Sequence, residues 1–143
     1  MVDQPAGIDP RGPRFAAALT SVVLAVVVLT GSVWLLAGQV AVFAAGSLFG
    51  VGRSPYGWLY RRLVRPRLGP PSELEDPAPP RFAQTVGLAV TGVALLLGLA
   101  GVPYAVEVGG ALAFVAAFLN ASIGLCLGCR IYLLLPRRRA RAA

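Results

Sequence analysis

The chain has 143 residues, of which 57% are hydrophobic and only 13% are charged, and its formal net charge is +7. A soluble domain is about 45–50% apolar and about 25% charged, so the core of so small a chain could not bury this many apolar residues. All thirteen basic residues are arginine, and the chain has no lysine and no histidine. These absences exclude histidine-based catalysis, histidine-containing zinc sites, lysine Schiff bases and a phosphate-binding loop.

Two long apolar stretches predict the membrane-spanning part of the chain. Residues 15–52 contain no charged residue, and residues 82–129 contain one, Glu107. A membrane-spanning helix needs about 20 apolar residues, and its backbone must be hydrogen-bonded internally. A turn near Gly31 and a turn near Pro103 divide the two stretches. We therefore predict an all-α integral membrane protein with four transmembrane helices in two hairpins, at residues 15–30, 33–53, 82–101 and 105–135.

The segment between the hairpins has two parts. Ser54 followed by Pro55 is typical of a helix start, and the apolar residues that follow recur on one side, opposite arginines. This pattern predicts a cytoplasmic interfacial amphipathic helix at residues 55–65. Residues 69–80 are rich in proline and acidic residues, which indicates an extended linker. The alternative for the whole segment is an ordinary solvated loop.

We expect one membrane domain over residues 1–143. Its parts are an N-terminal tail (1–14), the first hairpin (15–53), the middle segment (54–81), the second hairpin (82–135) and a basic tail (136–143).

The arginines predict the orientation of this domain. They occur in both tails and in the middle segment, whereas the two hairpin tips contain none. By the positive-inside rule, this places both termini and the middle segment in the cytoplasm of a multi-pass protein of the cytoplasmic membrane. Membrane lipid, rather than nucleic acid, is then the expected partner of the arginines. A cleaved signal peptide is the alternative for the first helix, but its apolar run is too long.

Small and amide residues predict where the helices pack, because close backbone approach drives helix association in lipid. The expected packing positions are Gly46 and Gly50 on the second helix, Gln84, Gly87, Thr91, Ala94 and Gly98 on the third, and Asn120, Gly124 and Gly128 on the fourth. The two amides are expected to bond across helices.

The only two cysteines, Cys126 and Cys129, form a C-x-x-C motif before Arg130. Within a continuous last helix their Cα atoms would be about 5 Å apart, which suits a disulfide. They would lie near the C-terminal end of that helix, where the helix dipole opposes a thiolate, while Arg130 favours one. The alternatives are a two-thiolate Cu(I) site on Cys126 and Cys129, and plain packing in a reducing compartment. No motif indicates a cofactor, and we expect none.

The end of this helix resembles a known family. The pattern Gly124-Leu-Cys126-Leu-Gly128-Cys129-Arg130-Ile-Tyr132 is similar to the signature of small actinobacterial four-helix membrane proteins known only as domain of unknown function 4395. Residues 49–57 and 81–84 match as well, and the resemblance covers roughly residues 8–137. The chain departs from the family pattern at Arg130, where an acidic residue is expected.

The resemblance implies an integral membrane protein with cytoplasmic thiols. Members of the family tend to be encoded beside thioredoxin-like and rhodanese-type sulfurtransferase proteins. The resemblance therefore implies a role in thiol redox or sulfur handling, with such a protein as the partner.

Three functions stay open on the sequence, and so does the question of whether the protein is an enzyme. The favoured one is a thiol-redox or sulfur relay in which Cys126 and Cys129 react and Arg130 stabilises the thiolate. The first alternative is a non-catalytic scaffold that recruits a cytoplasmic partner through residues 54–81. The second is a transporter of small solutes or sulfur anions working as a homo-oligomer, although few polar groups lie within the predicted helices.

Overall fold

The structure is a computed structural model that describes residues 7–135. Its regular elements in this range are helical, apart from one isolated backbone bridge between Ile8 and Glu75. The α-helices are α1 (Arg11–Thr30), α2 (Val33–Phe49), α3 (Pro55–Leu59), α4 (Ala78–Leu99), α5 (Ala105–Ile123) and α6 (Leu127–Leu134). Helices α1, α4 and α5 are long and apolar enough to span a membrane, and α2 is a shorter apolar helix.

The turn predicted near Gly31 is confirmed. Gly31 has a left-handed backbone (φ 65°) and donates its N–H to the carbonyl oxygen of Val27, which ends α1. The Ser32 hydroxyl then accepts the N–H of Leu35 at 3.2 Å and caps α2. Helix α2 ends at Phe49, earlier than the predicted residue 53, because Gly50 (φ 95°) leaves the helix and residues 51–53 form a single 3₁₀ turn.

Helices α1 and α4 each begin four residues before the predicted position. One residue before each N-cap, a carboxylate accepts the first N–H of the helix: Asp9 Oδ1 accepts the N–H of Arg11 at 3.0 Å, and Asp76 Oδ1 accepts the N–H of Ala78 at 2.9 Å. Prolines in the first turns are accommodated, because the first N–H groups of a helix have no partner within the helix. The sequence prediction left these first turns out, because they contain arginine and proline and so lie outside the uncharged apolar stretches.

The predicted amphipathic helix is confirmed in its extent. Ser54 caps α3 by accepting the N–H of Gly57 at 3.2 Å. The chain continues as a π-helical turn over Tyr60–Val64 and a 3₁₀ turn over Arg65–Arg67. The predicted apolar side of this helix is only partly confirmed, because Tyr60 is buried whereas Leu63 is exposed.

The prediction of one continuous helix over residues 105–135 is wrong. Helix α5 ends at Ile123, because Gly124 takes a left-handed conformation (φ 72°) and donates its N–H to the Asn120 oxygen. This 5→1 bond is the αL type of helix ending, and the N–H of Leu125 also reaches back to the Leu119 oxygen at 3.3 Å. The chain then restarts as α6 at Leu127. The predicted tail after Leu135 lies outside the described residues, as does the N-terminal tail before Gly7.

The long helices pack as antiparallel neighbours. Helix α5 lies against α1 and α4, and α2 lies on the other side of α4. The predicted packing positions on α2 and α4 are largely confirmed: a Cβ on Gly46 would meet Gln84, one on Gly87 would meet Phe43, and one on Gly98 would meet Val106. A Cβ on Gly50 would meet no atom. The stripe Asn120–Gly124–Gly128 is not formed, because the helix breaks within it.

The surface of this bundle is apolar along its length and basic at one end. The core is small and centres on Leu24, Val27 and Leu36, while many other valine, leucine and phenylalanine side chains of the long helices are exposed. Antiparallel packing brings the start of α1, the end of α2, the start of α4 and the end of α5 together. The arginines of the described residues therefore gather at that end, while Glu107 lies beside Gly31 at the opposite end.

Candidate thiol site

The helix break places the two cysteines at the beginning of a helix. Cys126 is the N-cap of α6 and has an extended backbone, and Cys129 lies in its first turn. The N–H of Cys129 donates to Cys126 Sγ at 3.2 Å. The two cysteines form a disulfide with a Cα–Cα distance of 5.2 Å, close to the separation expected from the sequence. Both side chains are partly exposed.

This position reverses one electrostatic expectation. In a continuous helix the cysteines would have been near the negative C-terminal end of the dipole, which disfavours a thiolate. At the start of α6 they lie instead at the positive end, and the backbone N–H of Cys129 donates to Cys126 Sγ. A helix N-terminus is the environment in which C-x-x-C pairs gain thiolate character.

Two contacts hold α6 against the first turns of α4. Gly128 is buried, and a Cβ there would lie 2.5 Å from both the Cα and the Cβ of Ala83. One turn further along, the ring of Tyr132 packs on that of Phe82 with 5.7 Å between ring centroids. The glycine between the cysteines therefore permits the close approach that fixes the position of the disulfide.

Two arginines lie beside this site, and only one was singled out from the sequence. Arg130 follows Cys129 and is exposed, and its N–H donates to the carbonyl oxygen of Cys126 at 3.0 Å. Arg14, from the start of α1, donates from its guanidinium to the Ala121 oxygen at 3.3 Å, where α5 ends. It thereby satisfies a carbonyl that the helix break leaves free. No sequence pattern pairs Arg14 with residues so distant in the chain.

A cavity of about 450 Å³ opens beside the cysteines, between α1, α4, α5 and α6. Its polar lining comprises Cys126, Cys129, Arg14, Arg130, Glu75, Gln84, Asn120 and Thr20. Within the described residues neither amide makes a side-chain hydrogen bond, so the expected bonds across helices are not formed. The rest of the lining is mainly apolar. The site therefore combines two sulfur atoms, hydrogen-bond donors and an apolar interior.

A second polar cluster ties the N-terminal segment to the middle segment at the same end of the bundle. The buried Asp9 carboxylate pairs with the Arg11 guanidinium at 2.9 Å and accepts the Tyr60 hydroxyl at 2.7 Å. The hydrogen bond from Arg11 holds the pKa of Asp9 well below its ordinary value, although burial acts in the opposite direction. Burial and the bond to Asp9 raise the pKa of Tyr60.

The described residues contain no group of three or more histidine, cysteine, aspartate or glutamate side chains placed to hold a metal ion. A site using Cys126 and Cys129 alone, as predicted for Cu(I), has two thiolate donors at most, so further ligands would have to come from outside this set.

Together these features define an all-helical chain with three helices long and apolar enough to span a membrane, and a close cysteine pair near its C-terminus. Residues 8–137 match the family model described as "Domain of unknown function (DUF4395)", and the chain belongs to this family. This confirms the resemblance seen in the sequence. Separate comparisons with curated proteins and with solved structures gave no significant match.

Proposed function

We propose that this protein is a multi-pass protein of the cytoplasmic membrane that exchanges disulfides, or passes sulfur, with a soluble cytoplasmic partner through Cys126 and Cys129. The observation that carries the proposal is the position of Cys126 as the N-cap of α6, with the N–H of Cys129 on its sulfur. Such a cysteine pair suits a thioredoxin-like or rhodanese-type protein as the partner.

The membrane location rests on the apolar surface and on the arginines. Helix α2 is shorter than the other three, at about 26 Å for its 17 residues. It packs antiparallel along α4, with Gly46 near Gln84 at one end and Val33 near Gly98 at the other. It therefore crosses the bilayer if α4 does, which gives four crossings. The basic end of the bundle then faces the cytoplasm.

The proposed reaction is thiol–disulfide exchange. A thiolate of the partner's dithiol attacks Cys126 Sγ, the intramolecular disulfide breaks, and Cys129 leaves as a thiolate. The partner's second thiolate then attacks its own sulfur in the mixed disulfide and releases Cys126 as a thiolate. The partner ends as a disulfide and this protein as a dithiol, so two electrons have passed from the partner to Cys126 and Cys129. Arg130 and Arg14 supply positive charge beside the thiolates.

Single cysteine variants test this proposal. In Cys129→Ser the Cys126 thiolate attacks the disulfide of the oxidised partner, the reverse of the second step above, and no Cys129 thiolate remains to complete the exchange, so a mixed disulfide with a cytoplasmic protein accumulates. In Cys126→Ser, which carries the same change three residues earlier, far less is trapped, because Cys129 lies inside the first turn. The double variant Cys126→Ser/Cys129→Ser is the background control. Equal trapping by the two single variants would refute the roles assigned, and trapping by neither would refute the exchange.

A scaffold is the second candidate, and one observation favours it. Arg61, Arg62, Arg65 and Arg67 are all exposed, and Arg62 lies over the exposed ring of Trp58 at 5.4 Å. A cytoplasmic partner recruited by this surface would still be retained by the double cysteine variant. The partner would be lost when the four arginines are replaced by glutamine. A relay, in contrast, would fail in the double cysteine variant and keep working in the arginine variant.

A further inference from the structure

We propose that the cavity beside Cys126 and Cys129 binds a lipid-soluble quinone, which takes the two electrons of the cysteine dithiol. The proposal rests on the proposed thiol exchange and names the acceptor that would regenerate the disulfide. It is carried by the lining of the cavity, which combines the two sulfur atoms with hydrogen-bond donors and an apolar wall next to a lipid-facing groove.

The cavity lies next to a second, shallow groove. This groove runs between α4 and α5 and is lined by alanine, valine, leucine and glycine. Val90 and Leu112 line both the cavity and the groove, so the two are neighbours. Val93 and Val108, further along the groove, are exposed on the side that faces lipid if α4 and α5 span a membrane. The cavity beside the disulfide is therefore flanked by an apolar groove that would face the bilayer.

The lining of the cavity combines polar and apolar residues, as a quinone combines a polar ring with an apolar tail. Among the lining residues, Arg14, Gln84 and Asn120 carry hydrogen-bond donors of the kind that ring carbonyl oxygens accept. Toward the groove, Val90, Leu112 and Ala113 offer only apolar surface, which suits an isoprenoid tail. A phospholipid fits less well, because it brings two acyl chains to a single groove and would supply no redox chemistry to the sulfurs.

The reaction balances without a further reactant. Cys126 and Cys129 lose two thiol protons and two electrons as the S–S bond forms. The quinone gains both, and its two C=O groups become C–OH groups of the quinol. The quinol then leaves along the groove into the membrane. Electrons taken from the cytoplasmic partner would in this way enter the membrane quinone pool.

Decylubiquinone is a suitable probe, because its fully substituted ring prevents thiol addition. Protein reduced with dithiothreitol, desalted and held in detergent without oxygen is mixed with the probe, while thiols and quinone absorbance are followed. We expect one quinone to be consumed for each disulfide formed. Ala113→Phe, which fills the cavity, should slow this at least about tenfold, equivalent to about 1.4 kcal/mol. Ala41→Phe, on an exposed position of α2 away from both cavities, should leave the rate unchanged.

The outcomes separate this inference from the proposed function. If the disulfide is reduced by dithiothreitol but the dithiol does not reduce the quinone, the inference is overturned and the relay stands. If Ala113→Phe reacts as fast as the wild type, the quinone reacts at the surface and the cavity holds something else, such as lipid, which also overturns it. Should Ala113→Phe fail to fold, the milder Ala117→Leu, in the same lining, decides in its place. A disulfide that dithiothreitol cannot reduce would instead refute the relay.

Discussion

Single polar side chains fix how the basic end of this molecule is held together. Asp9 accepts hydrogen bonds from both Arg11 and Tyr60, and the Arg11 guanidinium also donates to the Gly69 oxygen at 2.9 Å. One buried carboxylate thereby links the start of α1 to the middle segment. Nothing in the local sequence pairs Asp9 with Tyr60, because the two are brought together only by folding.

The lowered pKa of Asp9 gives stability a pH dependence of known sign. The stabilisation from the carboxylate is fully present above the ordinary pKa of 3.8 and is lost progressively as the pH falls from that value toward the lowered pKa of the folded protein. Asp9→Asn should cost about 1.5–3 kcal/mol at neutral pH, the usual contribution of hydrogen bonds to a charged group. Thermal unfolding in detergent at a series of pH values measures both effects. Tyr60→Phe, which removes one bond and leaves the ion pair, is the matched control. An Asp9→Asn variant as acid-sensitive as the wild type would contradict this account.

A second residue pair is only half satisfied. Gln39 is fully buried in α2, where Tyr56 donates its hydroxyl to the amide oxygen at 2.7 Å, while Nε2 has no partner among the described residues. Tyr56→Phe leaves the whole amide unpaired, so we expect destabilisation of about 1–3 kcal/mol. Adding Gln39→Leu should recover most of that loss, because both polar partners are then gone. A double-mutant cycle measured by thermal unfolding checks this, and simple additivity would contradict it.

At the level of elements, the break between α5 and α6 decides what the cysteines can do. Gly124 permits it through a positive φ, and Gly128 permits the close contact of α6 with α4. The sequence singled out both glycines as packing residues, but only Gly128 acts in that way. Hydropathy continues unchanged across the break, so an apolar pattern could not reveal it.

The two glycines should therefore respond differently to substitution. Gly124→Ala forces a Cβ into a left-handed conformation, at a cost of about 1–2 kcal/mol, although a Cβ there would lie no closer than 3.9 Å to any atom outside its immediate chain neighbours. Gly128→Ala puts a Cβ into the backbone of Ala83, so it should also displace α6. Disulfide reduction by dithiothreitol monitors that displacement. A reduction rate changed by Gly124→Ala but not by Gly128→Ala would contradict these roles.

At the scale of the whole molecule, the clustering of arginines at one end leads to a test of orientation. Gly69 lies at the basic end and Val102 at the opposite tip, and both are exposed. In a background of Cys126→Ser/Cys129→Ser, Gly69→Cys should react with a membrane-impermeant maleimide only in inverted vesicles. Val102→Cys should react only in intact cells, because the positive-inside rule places the basic end in the cytoplasm. Labelling of both from one side would disprove the proposed four crossings.

Much of the fold could be predicted from the sequence, because apolar runs, charge and turn residues are local signals. Gly31 and Ser32 marked the first turn, and Ser54 and Pro55 marked α3. The starts of α1 and α4 were missed because proline and charge interrupt the apolar pattern, although a carboxylate accepts the first N–H of each helix. For the site, the cysteine pair could be predicted from its spacing, whereas its place in the helix dipole could not.

The sequence by itself determined the apolar character of the chain, its positive charge carried by arginine alone and the two cysteines as its only thiols. It did so because composition and spacing are properties of the chain alone. Tertiary structure decided that the cysteines begin a helix, that Arg14 lies at the break, and that a cavity opens beside the sulfurs between α1, α4, α5 and α6. Each of these depends on residues far apart in sequence meeting in space, or on one glycine choosing a left-handed turn within an unbroken apolar run.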